Sequence, residues 1–339
     1  MMSMTSIGDL ARNFVLTRKN AQIKSNATTL VEELASGRVK NLSRHLGGDF
    51  SHLSGVTHAQ NLNAAYAQSA KEAGLISETM QLALGKIETE IEGSRSELLT
   101  IAAAPSKHSV SQLASTARDS LSTIVAALNG TAAGRSLFAG ASTGGQALAS
   151  ADSLLDNLRA ELSGVTSPDE FNTRIDAWFA EGGGYDTAGY MGSQNGMGSM
   201  RIGANETLDL TVKADDQRLR SVLSSMAKLS LLPEISESIP PEMSQSLLTG
   251  LAESVSGSLV DLTTLRSEVG FAEERIAERQ SSLASEATAL EYAYGRIVSI
   301  DPYEHATMSL QARDLSQVTS RIRTIRTWCV SLLPVWLKK

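Results

Sequence analysis

The stretch that decides the fold runs from Val255 to Ile297 and reads VSGSLVDLTTLRSEVGFAEERIAERQSSLASEATALEYAYGRI. An apolar side chain recurs in it at every seventh position. The members of this column are Val255, Leu262, Val269, Ile276, Leu283, Leu290 and Ile297. Only a straight, supercoiling helix keeps one face apolar over such a length, so the spacing predicts a long bundle or coiled-coil helix. We predict that these seven residues form the seam of that bundle.

A second long helix with the same spacing is predicted between about Thr57 and Ala103. Its apolar residues fall into two columns, Tyr66, Ala73, Met80, Ile87 and Ile101 in one and Ala70, Leu84, Ile91 and Leu98 in the other, with Ser77 and Ser94 as polar interruptions. Pro105 ends this helix, because proline cannot continue the backbone hydrogen bonding. A third helix is predicted from Ser109 to Leu128, where Asn129 and Gly130 stop it.

The two ends of the chain also carry amphipathic helical patterns. One helix is predicted from Thr5 to Ala35, followed by a glycine-containing loop over residues 36–56, and another begins at Asp301-Pro302-Tyr303-Glu304 and runs to about Ile325. An isolated amphipathic helix leaves its apolar stripe in water, so both helices need partners. We assign contacts between molecules to Leu16, Ile23, Leu30, Leu34, Leu310, Leu315 and Ile322.

Between these long helices the helical patterns are shorter and glycine is more frequent. Ser167-Pro168-Asp169-Glu170 has the residues of a helix start, with a capping serine and a proline at the first helical position. Residues 200–202 and 207–212 alternate apolar and polar side chains across a turn, which predicts a small hairpin. Residues 215–231 return to a helical pattern, and Pro233, Pro240 and Pro241 indicate a break before the last long helix.

The fold predicted from these patterns is mainly α, with a long antiparallel helical bundle or coiled coil built from both chain ends and a small inserted α+β domain. We divide the chain into three parts. Residues 1–56 with 301–339 form the terminal coiled-coil helices, residues 57–135 with 241–300 form the bundle core, and residues 136–240 form a variable middle domain.

The composition narrows the classes of function. The chain has 339 residues, a formal net charge of −7 and a pI of about 5.4, which disfavours nucleic acid as a partner. Cys329 is the single cysteine, so no disulfide forms within one chain. The first 30 residues lack the pattern of a cleavable secretory signal, and the apolar stretch from Thr327 to Leu337 contains Pro334 and is too short to span a membrane.

Three short patterns bear on whether the chain contains a catalytic or metal site. Gly140-Ala141-Ser142-Thr143-Gly144 matches the elbow that presents a nucleophilic serine, but that site needs an acid and a histidine downstream, and His305 is the only histidine there. The five histidines include no pair spaced for a helical metal site, and Gly182-Gly183-Gly184 lacks the Lys-Ser/Thr of a phosphate loop. We therefore predict no enzymatic activity and no catalytic, cofactor or metal site.

Several stretches resemble the flagellin and hook-associated protein family of the bacterial flagellum. They are Leu34-Ala35-Ser36-Gly37-Arg38, LNGTAAGRSLFAG from Leu128 to Gly140, and Asp301-Pro302-Tyr303-Glu304. The segment from Gly184 to Asp216 is similar to the middle domain of hook-filament junction proteins more than to that of filament subunits.

This resemblance implies a structural subunit that is exported without a cleaved signal and assembles outside the cell as part of the flagellum. It also implies self-association in a ring, contact with another hook-associated protein and with flagellin, an export chaperone, and no cofactor. The leading hypothesis is a protein of the hook-filament junction. The filament subunit, flagellin itself, is an alternative, and a cytosolic coiled-coil adaptor is an alternative of another class.

Overall fold

The computed structural model describes residues 7–236 and 241–336, and it consists mainly of helices. These are α1 (Ile7–Ser36), α2 (Leu42–His45), α3 (Ser51–Ala103), α4 (Lys107–Leu128), α5 (Ala151–Glu161), α6 (Pro168–Phe179), α7 (Gln217–Ser230), α8 (Leu232–Ser236), α9 (Pro241–Val298) and α10 (Pro302–Trp336). The described residues also contain two antiparallel hairpins. In one, β1 (Thr131–Ala132) pairs with β2 (Arg135–Ser136), and in the other, β3 (Met200–Arg201) pairs with β4 (Thr207–Leu208). The predicted fold class, a mainly α bundle with a small β-containing part, is confirmed. The predictions for Thr5 and Pro240 lie outside the described residues.

The chain divides into two compact units. Met1–Leu62 and Glu286–Lys339 make up the first, called here the terminal unit, and Asn63–Ser285 make up the second, called the central unit. The long helices α3 and α9 each contribute to both units.

The core of the central unit is the packing of α3 against α9. The side-chain amide of Gln81 donates to the carbonyl of Arg266 at 2.6 Å, and that of Gln280 donates to the carbonyl of Ala70 at 3.0 Å, so the two helices run antiparallel. Most members of the two α3 columns are buried, and so are the two serines that interrupt them. Ser77 is accommodated because its hydroxyl donates to the carbonyl of Gly74 within its own helix.

Helices α4 to α8 pack on one another and enclose a second set of buried side chains. Two hydrogen bonds join them to the long helices, Ser120 of α4 to Glu90 of α3 and Ser221 of α7 to Ser258 of α9. α7 packs against α4 and α6, and its side chain Arg220 is almost fully buried. The Arg220 guanidinium forms ion pairs with Asp186 and Asp215 and lies 4.7 Å from the centre of the Tyr185 ring. Burial raises the pKa of Tyr185, whose hydroxyl donates to the carbonyl of Ala214 at 2.8 Å. A buried charge held by two carboxylates thus joins α7 to a short π-helix, Tyr185–Gly189.

The stretch Leu137 to Gly140 is buried, and its backbone is hydrogen-bonded to the segments that contain Ser193 and Ala214. The carbonyl of Phe138 accepts from the amide of Ala214, and that of Ala139 accepts from the amide of Ser193, both at 2.9 Å. Gly140 has φ +62°, and a Cβ added there would lie 2.3 Å from the carbonyl oxygen of Asn195. A side chain at position 140 therefore has no room, which explains why glycine ends this stretch.

One hairpin follows the sequence prediction and the other does not. β3 pairs with β4 across the predicted turn, although the pairing is confined to two residues in each strand. The pairing of β1 with β2 was not predicted. Its two-residue turn, Ala133-Gly134, has positive φ at both positions, 50° and 76°, as a tight hairpin turn requires. Alanine is unusual at such a position, so the sequence lacks the usual Asn-Gly signal.

Two predicted helix boundaries were wrong. Helix α3 begins at Ser51 and not at Thr57, because the Asp49 carboxylate caps it by accepting from the Ser51 amide at 2.9 Å, and Gly55 is accommodated inside the helix. The loop before it is also interrupted by α2. Helix α10 continues past Ile325 to Trp336, since neither glycine nor proline occurs before Pro334.

The helix starts that carried capping signals were predicted correctly. The Ser167 hydroxyl accepts from the Glu170 amide at the start of α6. At the start of α10, the Asp301 carboxylate accepts from the amides of Tyr303 at 2.9 Å and Glu304 at 3.2 Å. In each case a short polar side chain satisfies amides that the first turn of a helix leaves free.

In the terminal unit, α1 packs along α10, and both are tied to the end of α9. The amide of Val39 donates to the carbonyl of Val298, and the amide of Ile300 donates to that of Gly37, which forms a short antiparallel bridge. Glu33, near the end of α1, is buried and lies 3.4 Å from His305 of α10. The two terminal helices are therefore joined at the point where α1 ends and α10 begins.

Two leucines of α3 test the packing of this helix in the central unit. Leu84 is fully buried and Leu82 is 70% exposed. We expect Leu84→Ala to lower the free energy of unfolding by about 2–5 kcal/mol, because it removes buried methyl groups and leaves a cavity. The matched variant Leu82→Ala should change it by less than about 0.5 kcal/mol. Urea denaturation followed by circular dichroism measures both, and equal effects would contradict the assigned helix face.

The buried charge on α7 gives a second prediction. Arg220→Met leaves Asp186 and Asp215 without their shared cation, so we expect a loss of about 3–5 kcal/mol in the free energy of unfolding. Arg159→Met removes a more exposed cation, paired with Asp156 and Glu234, and should cost less than about 1 kcal/mol. Urea midpoints for the two variants provide the comparison, and a small effect of Arg220→Met would show that the cluster is not structural.

Candidate self-association surface

Beyond His305, which lies beside Glu33, the described part of the α10 side that packs on α1 carries small or short side chains. Ser309 is buried there, and Ala312, Ser316 and Thr319 are half-buried. These residues recur every three or four positions, so they lie on one side of the helix. Small residues allow two helices to approach closely, but they bury little apolar area.

The large apolar side chains of α10 lie on a different side and are exposed. The four residues Leu315, Val318, Ile322 and Ile325 are between 51% and 64% exposed and are spaced three, four and three apart. We call these four residues the α10 stripe. This spacing is that of the two inner positions of a coiled coil. The single chain therefore forms the seam of a coiled coil without covering it.

The other residues predicted to make contacts between molecules differ in burial. Leu310, beside the α10 stripe, is 61% exposed, and Leu16 and Leu34 of α1 are also exposed. Ile23 and Leu30 are half-buried on the side of α1 that also includes Ala27. Residues 23, 27 and 30 lie on one face of α1, and their partial burial agrees with packing of this face on α10 of the same chain. Ile23 and Leu30 are therefore less available to another molecule.

Some exposed apolar residues were not singled out from the sequence. On α10 they are Met308, Val318 and Ile325, which continue the three-and-four spacing that contains Leu315 and Ile322. A search for both columns of the heptad, and not only one, would have found them. On α1, Phe14 is 69% exposed and Val15 is exposed beside it. Their adjacent positions break the heptad spacing, so no periodic signal marked them.

The seam predicted along α9 is buried over most of its length. Val255, Leu262, Val269, Ile276 and Leu283 have at most 2% exposure in the central unit. Leu290 and Ile297 are half-buried and belong to the terminal unit. The apolar column thus continues through both units, but its burial is most complete where α9 packs on α3.

The serine of the Gly140–Gly144 pattern and the candidate metal ligands can be located in the structure. Ser142 is exposed in a loop, and no helix follows it before Ala151, whereas a nucleophile elbow leads directly into one. Among the residues that the structure describes, no three His, Cys, Asp or Glu side chains are grouped as metal ligands. Over the same residues, no helix has both the length and the apolar character needed to cross a membrane.

Comparison with known proteins gives a likeness of fold. Neither a protein-family model nor a curated protein matches the sequence. A solved structure from Vibrio parahaemolyticus, described as a flagellar hook-associated protein, matches with a TM-score of 0.51 at 11% sequence identity. The match covers 72% of this chain and 95% of that one. The arrangement of helices described above is therefore similar to that of the Vibrio protein over most of this chain.

Proposed function

We propose that this chain is a structural subunit of the bacterial flagellum, and more closely a hook-associated protein that joins the hook to the filament. The observation that carries this proposal is the α10 stripe, a coiled-coil seam that the single chain leaves exposed. The fold likeness to the Vibrio protein supports it, because that protein is described as hook-associated. The sequence resemblance at Leu137 to Gly140 and at Asp301 to Glu304 adds independent support.

In this proposal the work of the protein is mechanical and not enzymatic. Burial of the α10 stripe between copies would hold a ring together outside the cell. The neighbours of that ring would be another hook-associated protein and flagellin, and an export chaperone would cover the exposed apolar residues before secretion. Covering four large aliphatic side chains stabilises an assembly by about 1.5–3 kcal/mol for each one fully buried, before the entropy lost on association is subtracted.

Charges placed in the α10 stripe test whether it drives self-association. We expect Leu315→Glu with Ile322→Glu to weaken self-association at least about tenfold, because a carboxylate loses its hydration when the seam is covered. Gln317→Glu with Ser320→Glu is the matched control, since both residues are exposed on another side of α10 and the charge change is the same. Sedimentation velocity over a range of concentrations measures association. Equal association of the two variants would rule the stripe out as the contact.

Deletion of the gene in the bacterium that encodes it tests whether the protein joins the hook to the filament. Deletion of the gene should leave hooks without attached filaments in electron micrographs. Complementation with the Gln317→Glu and Ser320→Glu variant should restore filaments, whereas the Leu315→Glu and Ile322→Glu variant should not. Normal filaments in the deletion strain would contradict the proposal, and protein found along the whole length of filaments would favour the flagellin alternative.

A further inference from the structure

The central unit has a shallow groove between α3 and α9. It is lined from α3 by Gly74, Leu75 and Glu78 and from α9 by Glu273, Ile276 and Ala277, with Lys71 at one end. These residues are called here the α3–α9 groove. Gly74 brings the helices close together, since a Cβ added to it would lie 3.1 Å from the Gln280 side-chain nitrogen.

Apolar and acidic groups lie side by side at this groove. Leu75 in the groove lining is 49% exposed, and Leu82, which lies outside that lining and seven residues further along the same face of α3, is 70% exposed. Beside them stand the carboxylates of Glu78 and Glu273. Burial, and then the negative charge of Glu78, raise the pKa of Glu273, although Arg266 acts in the opposite direction. A cation brought to this place would relieve the repulsion between the two carboxylates.

A matching combination of apolar and basic groups is found on α1 in the terminal unit. Phe14, Val15, Arg18 and Lys19 are all exposed, and their spacing places them on one side of the helix. They are called here the outer face of α1. Arg12, Arg18, Lys19 and Lys24 are the charged residues between Leu10 and Val31, so this length of α1 carries no acid.

The charges of the two units have opposite signs as a whole. The residues of the terminal unit include 14 lysines and arginines against 9 aspartates and glutamates, whereas those of the central unit include 16 against 28. A terminal unit of one copy and a central unit of another therefore attract each other at low salt, and two central units repel each other.

We propose that the α3–α9 groove of one copy binds the outer face of α1 of a second copy. Phe14 and Val15 lie against Leu75 and Leu82, and Arg18 and Lys19 lie beside Glu78 and Glu273. This inference rests on the proposed self-association and names one of its contacts. The second copy is the occupant because the same chain carries both the acidic, apolar groove and a basic, apolar helix face.

A contact of this kind joins two different surfaces. Each copy presents one groove and one outer face, so the association is heterologous and continues from copy to copy into a ring or an open array. The contact also differs in its response to salt from burial of the α10 stripe. Salt screens the pairing of exposed charges, whereas it does not weaken apolar burial.

Disulfide trapping between two differently tagged chains tests the position of the contact. In a Cys329→Ser background, one chain carries Phe14→Cys and the other carries Leu75→Cys, and the two are mixed under mild oxidation. Because a disulfide forms only when the two Cα atoms are within about 7 Å, we expect a mixed-tag dimer on a denaturing gel. Phe14→Cys mixed with Val260→Cys is the control, since Val260 is 67% exposed on the outward side of α9.

Charge exchange tests the electrostatic part of the same contact. Glu78→Lys with Glu273→Lys in the Leu75→Cys chain should lower the yield of mixed dimer roughly tenfold, because like charges then face each other. Arg18→Glu with Lys19→Glu in the Phe14→Cys chain should do the same. Combining the two reversed chains should restore the yield, which a general loss of folding would not allow.

The outcomes separate this inference from the proposed function. A mixed dimer no more abundant than in the Val260→Cys control, in a protein that still associates through Leu315 and Ile322, would overturn the groove contact alone. A disulfide formed only inside a chain carrying both Phe14→Cys and Leu75→Cys would also overturn it, since the occupant would then be the same copy. Absence of any association at all would overturn both.

Discussion

The antiparallel packing of α3 on α9 is the interaction on which the rest of the central unit depends. Both helices keep an apolar column along one face for many turns, and most residues of both columns are buried in the central unit. Side-chain amides fix the register, since Gln81 and Gln280 bind backbone carbonyls of the opposite helix. The inserted segments have short helices and two-residue strands, so they depend on this pair for a surface on which to fold.

The terminal unit uses its apolar residues differently. In α9 the large aliphatic side chains point at a partner helix of the same chain, whereas in α10 the described side that meets α1 consists, after His305, mainly of the short side chains Ser309, Ala312, Ser316 and Thr319. Reversing this arrangement would have given a more stable single chain. An exposed heptad seam has the opposite consequence, because it lowers the free energy only when another helix covers it. The exposed seam of α10 is the apolar surface that the proposed self-association would cover.

The sequence was sufficient for the elements that rest on periodicity or on capping. The heptad of Val255 to Ile297 and the caps at Ser167 and Asp301 are local signals, and the structure has helices at all three places. Features that depend on tertiary surroundings were missed. Ala133 has positive φ because the β1–β2 turn imposes it, and Gly55 is helical because Asp49 caps the helix before it. The exposed position of Phe14 could not be predicted either, since no periodic pattern distinguishes it.

The heptad also shows why a candidate surface is harder to predict than a fold. Leu262 and Leu315 have the same relation to their repeats, yet Leu262 is fully buried and Leu315 is 56% exposed. The difference lies in what faces each helix: α9 meets the apolar columns of α3, and the described part of α10 turns mainly small residues toward α1. The spacing shows which residues share a face of a helix. Which face packs against another helix of the same chain depends on the side-chain sizes along the whole helix. The proposed self-association rests on this feature, an apolar seam that lies on another side of the helix from a face of small residues.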